Sequence, residues 1–222
     1  MNEIFIYGGM VFILAIVPII ALFITRNNPF WQTTIIKSIR FFLGFVLFGA
    51  GLVRYTGAAL GLIGPQWLIT ELSKHGLGFY AHFISFSEIS IGYLLMTNRF
   101  GTLGAVMSIP MFANILAVVV SLNWQGTPFV VFSLFVLNVI VLIYDWHKLK
   151  FILTDDIEPL KKIPVVRSDI KLDGLYGVVF LLFIVAIIVS NFNKKAGEYI
   201  SILGYISVFS LWLYTQIKKR RI

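Results

Sequence analysis

Apolar runs long enough to cross a bilayer follow one another along almost the whole chain, parted by polar turns of a few residues. A soluble fold cannot bury such runs on all sides, so the expected fold class is an all-α integral membrane protein. Composition agrees: 59% of the 222 residues are apolar, 13% are charged and the mean hydropathy is +0.91. A hydrocarbon layer of about 30 Å takes about 20 residues per helix, which limits the chain to roughly eight spans and leaves no room for a soluble domain.

The runs resolve into about seven spans. The first covers about 4–25 and ends in a polar turn with Arg26, Pro29 and Trp31; the second covers about 36–60. Between 61 and 78, Trp67, Leu68 and Leu72 recur near helical spacing among polar residues, which predicts a short helix on the membrane surface. The third span, about 79–97, reverses at Asn98–Gly101 into the fourth, about 102–122, where Pro110 predicts a kink. A turn at Asn123–Thr127 leads into the fifth, which ends near Tyr144. The mixed-charge segment Asp145–Asp173 follows, then spans six (about 174–192) and seven (about 199–217) and a Lys218–Arg221 tail. The organisation is an N-terminal helix and turn (1–35), a four-helix bundle (36–150), a cytoplasmic polar loop (151–173) and a C-terminal hairpin (174–222).

Charge orients these spans. The net charge is +8 with a pI near 9.7, and the basic residues sit at span ends, as topology determinants do, so nucleic acid is not an expected partner. Seven spans put Arg54, Lys74, Lys194 and Lys195 on one side and the remaining fourteen of the 18 basic residues on the other. The N-terminus is therefore expected outside and the C-terminus in the cytoplasm.

Glu88 stands out because a charge near the bilayer centre costs about 2.5–3.5 kcal/mol. It lies about 15 Å into span three, near the midplane, so it needs a partner or a water-filled cavity, in a structural or a functional role. Arg40 and Arg54 are the candidates. Fourteen residues turn a helix by about 1400°, within about 40° of four full turns, so both share one face with Gly44, Leu47 and Gly51. Small residues admit a close neighbour, which predicts that span three packs there and brings Glu88 toward Arg54. Arg40, nearer the cytoplasmic end, can instead extend to the headgroups.

The other polar residues are secondary candidates. His82 reads as a hydrogen-bonded interfacial histidine, since one histidine and one carboxylate do not complete a metal site. Asn114 and Asn138 suit interhelical hydrogen bonds. Asp145 and His147, flanking Trp146 at the end of span five, suit an interface. With no cysteine, thiol redox, Cys-ligated zinc and iron–sulfur clusters are excluded. No Ser-His-Asp arrangement, HExxH, GxGxxG or phosphate-binding GxxxxGK occurs.

The segment RFFLGFVLFGAGLVR, Arg40 to Arg54, resembles the opening helix of the DoxX-like family of membrane proteins. EISIGYLLMTNRF, Glu88 to Phe100, is similar to that family's glutamate, glycine and turn-arginine run, and the small and apolar composition continues through Met111 and Asn114. The likeness covers about residues 37–150. It implies a four-helix bundle of spans two to five with Arg40, Arg54, Glu88 and Arg99 as its polar centre, in a bacterial inner membrane. It also implies membrane redox chemistry, including quinone reduction, with a quinone as the cofactor to expect; the residues themselves demand none. The absent cysteines and three extra spans depart from that pattern. Three functions follow: an accessory, non-catalytic subunit of a membrane complex, with a partner protein or a second copy of itself; a quinone-linked oxidoreductase subunit; and a small-solute or proton transporter using Glu88 and the Pro110 kink.

Overall fold

The computed structural model describes residues 13, 16–56, 67–98, 100–150 and 170–220, and all regular structure among them is helical. The first residues of the N-terminal span, Arg99 and the 151–169 part of the polar loop lie outside them. The helices are α1 (16–24), α2 (Pro29–Thr56), α3 (Leu68–Lys74), α4 (Gly78–Met96), α5 (Gly101–Ser121), α6 (Thr127–Tyr144), α7 (Trp146–Leu149), α8 (Ile170–Ser190) and α9 (Lys194–Arg220).

Local chemistry sets the boundaries. The Asn28 side chain accepts from the Phe30 and Trp31 N–H groups at 3.1 and 3.4 Å, and Pro29 opens α2, so the helix starts seven residues before its apolar core. Asn98 adopts φ 53° in the reversal between α4 and α5, and Gly126 adopts φ 83° just before Thr127 and Pro128 open α6. Asn193 accepts from the Ala196 N–H at 3.2 Å and begins α9.

Among the described residues, five helices are long and apolar enough to cross a membrane: α2, α5, α6, and residues Lys171–Ser190 of α8 and Lys194–Thr215 of α9. The chain is thus a helical integral membrane protein. Helix α4, expected as the third span, is not among the five, because its 19 residues include His82, Ser85, Ser87, Glu88 and Ser90. The apolar core of α2 is 67% buried, against 22–33% in the other four, so α2 is enclosed by protein while they present wide faces to lipid.

The chain forms two compact units, divided within α2 and within α4. Unit 1 holds α2 up to Phe45 and the chain from Leu94 through α7. There α5 packs on α6, with Asn138 Nδ2 donating to the Ala105 carbonyl at 2.9 Å. Gly104 lets the start of α5 lie against Leu94 and Leu95; a Cβ there would sit 3.0 Å from Leu95 Cγ. Unit 2 holds α2 from Val46, α3, α4 up to Tyr93, and the α8–α9 hairpin. Small residues again set the closest approaches: a Cβ on Gly51 would lie 2.5 Å from the Ser85 carbonyl oxygen, and one on Gly204 would lie 2.6 Å from the Phe183 ring. Phe183 meets Phe48 and Tyr205 edge to face, with centroids at 4.6 and 5.4 Å, and Tyr93 donates its hydroxyl to the Tyr176 carbonyl at 2.5 Å.

Candidate functional site

In unit 2, Gly51 admits α4 so closely that Arg54, one turn further along α2, meets Glu88. Arg54 Nη1 donates to Glu88 Oε2 and, at 3.2 Å, to Ser85 Oγ; Nη2 lies 3.4 Å from Glu88 Oε1. The two side chains are 4% and 2% exposed. A guanidinium fork against a carboxylate is the geometry in which a buried ion pair recovers most of its desolvation. Arg54 Nε, also buried, has no hydrogen-bond partner among the described residues. At the edge of this pair the Tyr55 and His82 rings stack at 5.6 Å, and the Tyr55 hydroxyl donates to the His82 carbonyl at 3.0 Å. His82 Nδ1 lies 3.3 Å from the same hydroxyl, and the imidazole is exposed. Ser190 Oγ donates to the Tyr55 carbonyl at 3.1 Å, tying α8 to the end of α2.

In unit 1, Arg40 does not extend to the headgroups. It is 8% exposed and its Nη2 donates to Asp145 Oδ2. Asp145 closes α6 with a carboxylate that is wholly buried. Its Oδ2 also accepts from the Thr102 hydroxyl at 2.8 Å, and its Oδ1 from Lys148 Nζ at 3.0 Å. Burial pushes the Asp145 carboxyl upward, but the hydrogen bonds from Thr102 and Lys148 with the charges of Arg40 and Lys148 outweigh it, and the group titrates below the ordinary aspartate range. The Arg40 stem fits because the facing residue is Gly101, where a Cβ would lie 2.9 Å from Arg40 Cδ.

No family model, curated protein or solved structure matches the chain. Chemistry must therefore be read from the side chains alone.

Of the candidate residues, the structure joins Arg54 with Glu88 and Arg40 with Asp145, as two pairs in two units; Arg99 lies outside the described residues. Asn114 is half-buried on α5, and Asn138 makes its single bond to Ala105 with Oδ1 unpartnered. His147 is exposed, its Nδ1 3.2 Å from the Tyr144 carbonyl oxygen. No group of three or more His, Asp or Glu that could hold a metal occurs among the described residues. The pairing of Asp145 with Arg40 went unforeseen because an aspartate at a helix end next to Trp146 and His147 has the ordinary pattern of an interface. The legible signal was on the other helix, since an arginine inside an apolar run requires a counter-charge.

Proposed function

We propose that this chain is an accessory, non-catalytic subunit of a membrane complex with a DoxX-like core, seated in a bacterial inner membrane with its N-terminus outside and its C-terminus in the cytoplasm. The observation that carries the proposal is the state of the two buried carboxylates. Glu88 is held by Arg54, and Asp145 by Arg40, Thr102 and Lys148, so both act as fixed partners that set helix register. A general base needs a lone pair directed at substrate, and these carboxylates accept from Arg54, Arg40, Thr102 and Lys148 instead. The lipid-facing surfaces of α5, α6, α8 and α9, with Leu103, Phe132, Val178 and Ile206 each about half exposed, supply the area on which a neighbouring subunit can pack.

Extraction from native membranes in mild detergent, followed by mass spectrometry of the intact assembly, tests this. The expected result is a stable complex with another protein and no stoichiometric quinone. A copurifying quinone whose stabilising effect disappears in Glu88→Gln would replace this proposal with a quinone-linked oxidoreductase subunit, and a bare monomer would replace it with a transporter.

A further inference from the structure

Arg40 does more than pair with Asp145. Its stem lies against Gly101, where a Cβ would sit 2.9 Å from Arg40 Cδ and 3.3 Å from Nε, so this side of the guanidinium faces the reversal between α4 and α5. The Nε–H is buried and has no hydrogen-bond partner among the described residues. From the reversal, Asn98 reaches the same stretch of α2: its Nδ2 donates to the carbonyl of Lys37, about one turn before Arg40, at 3.5 Å. That bond fixes which way the amide points, because the opposite orientation would set Oδ1 against a carbonyl oxygen. Asn98 Oδ1 is buried as well, and it too has no hydrogen-bond partner among the described residues.

A cationic donor and a neutral acceptor therefore meet at one junction inside unit 1, between α2 and the α4–α5 reversal. Buried polar atoms are nearly always hydrogen-bonded, to protein or to ordered water. The two atoms narrow what can join them. A ligand must accept from Nε–H and donate to Oδ1; a deprotonated anion has no proton for Oδ1, and a metal cation on Oδ1 would be repelled by the guanidinium. Burial of both atoms leaves no approach for anything bulky. We propose that one ordered water binds at this junction, accepting from Arg40 Nε and donating to Asn98 Oδ1. It adds a link between the reversal and α2 where the direct bond, at 3.5 Å, is long for an N–H···O contact. With Nη2 on Asp145 and Nε on the water, Arg40 fastens both the end of α6 and the α4–α5 reversal to α2. The site does not depend on whether the chain is an accessory subunit.

The test is water–protein nuclear Overhauser spectroscopy on the full chain in micelles, labelled with 15N-arginine and read at the Arg40 Nε–H resonance. A water contact is expected there. Asn98→Gly, which keeps the left-handed backbone of φ 53° and removes the acceptor, should abolish it. Asn123→Gly, the same change at φ 53° in the α5–α6 turn, should leave it in place, and so should Thr102→Val, which removes an exchanging hydroxyl beside Asp145. No water contact in the wild type would overturn the proposal, as would one that survives Asn98→Gly or one lost equally in either of the other variants. A crystal structure fine enough to show waters is the second measurement, and it needs no variant to fold. One water should lie within about 3.2 Å of both atoms, and a direct Nε–Oδ1 bond, or another protein group on either atom, would refute the site.

Discussion

Replacing Glu88 by leucine would leave the Arg54 guanidinium 4% exposed with one neutral oxygen, Ser85 Oγ, as its hydrogen-bond partner. That hydroxyl already donates to the Ala81 carbonyl at 2.9 Å, so it can accept from Arg54 but contributes no charge. Breaking a buried pair from one side costs about 3–5 kcal/mol, because the surviving charge stays desolvated without its counter-ion. Glu88→Gln keeps one amide oxygen for Arg54 but sets its NH2 group against the other guanidinium nitrogen and removes the counter-charge, so it should cost at least about 1.5–3 kcal/mol. The double variant Arg54→Met/Glu88→Leu removes both charges for apolar groups of similar length and should recover most of the loss. Reversible unfolding in mixed micelles, read by tryptophan fluorescence, compares the wild type, Glu88→Leu, Arg54→Met and the double variant, with Glu88→Gln beside them. A double variant as unstable as Glu88→Leu alone would refute the view that the pair serves register. A double variant that folds normally yet no longer enters its native complex would instead assign the pair to recognition.

Other outcomes follow from the same contacts. Gly51→Ala should destabilise by about 1–3 kcal/mol, since its methyl meets the Ser85 carbonyl and the Ile89 backbone, whereas Gly49→Ala, with nothing within 4 Å, should be neutral or stabilising; chemical denaturation in micelles separates them. Asn138→Leu loses one bond to Ala105 together with an unpartnered buried oxygen, so its unfolding free energy should change by less than about 1 kcal/mol, and a larger loss would mean that Oδ1 is engaged. Because the folded-state pKa of Asp145 is depressed, its stabilisation is full above the ordinary aspartate value of about 3.9 and is lost as pH falls through the folded value. The stability gap between the wild type and Asp145→Asn should therefore be constant near neutrality and shrink below about pH 4; a gap independent of pH would contradict the pairing.

The helical membrane class was legible because apolar run length is a direct imprint of the bilayer, and turn residues such as Asn98 and Pro128 marked the reversals. The helix ends were less so. Periodicity locates the apolar core of α2, but the helix begins at Pro29 because Asn28 caps it, and capping chemistry operates outside the hydrophobic stretch. Likewise α4 looked like a span from its length and its Phe, Ile and Leu residues, although its five polar residues dilute the same stretch.

The two ion pairs differ in legibility for a physical reason. Glu88 announces itself, since a carboxylate inside an apolar run has few explanations, and the facing Gly51 indicates where the neighbouring helix comes close. Asp145 does not, because the end of a span is where charges normally sit, and its burial results from tertiary packing by residues more than 40 positions away, Arg40 and Thr102. The reasoning could have run from Arg40 instead. An arginine on the enclosed face of α2 needs a carboxylate at its own membrane depth, and the chain has only ten acidic residues. Asp155, Asp156, Glu158 and Asp169 belong to the polar segment that follows span five, Glu88 is committed to Arg54, and Asp145 closes a span of the bundle at the end where Arg40 sits. Scarcity of acid in an apolar chain thus carries long-range contact information that hydrophobic periodicity lacks: each enclosed arginine constrains which of a few carboxylates its helix must pack beside.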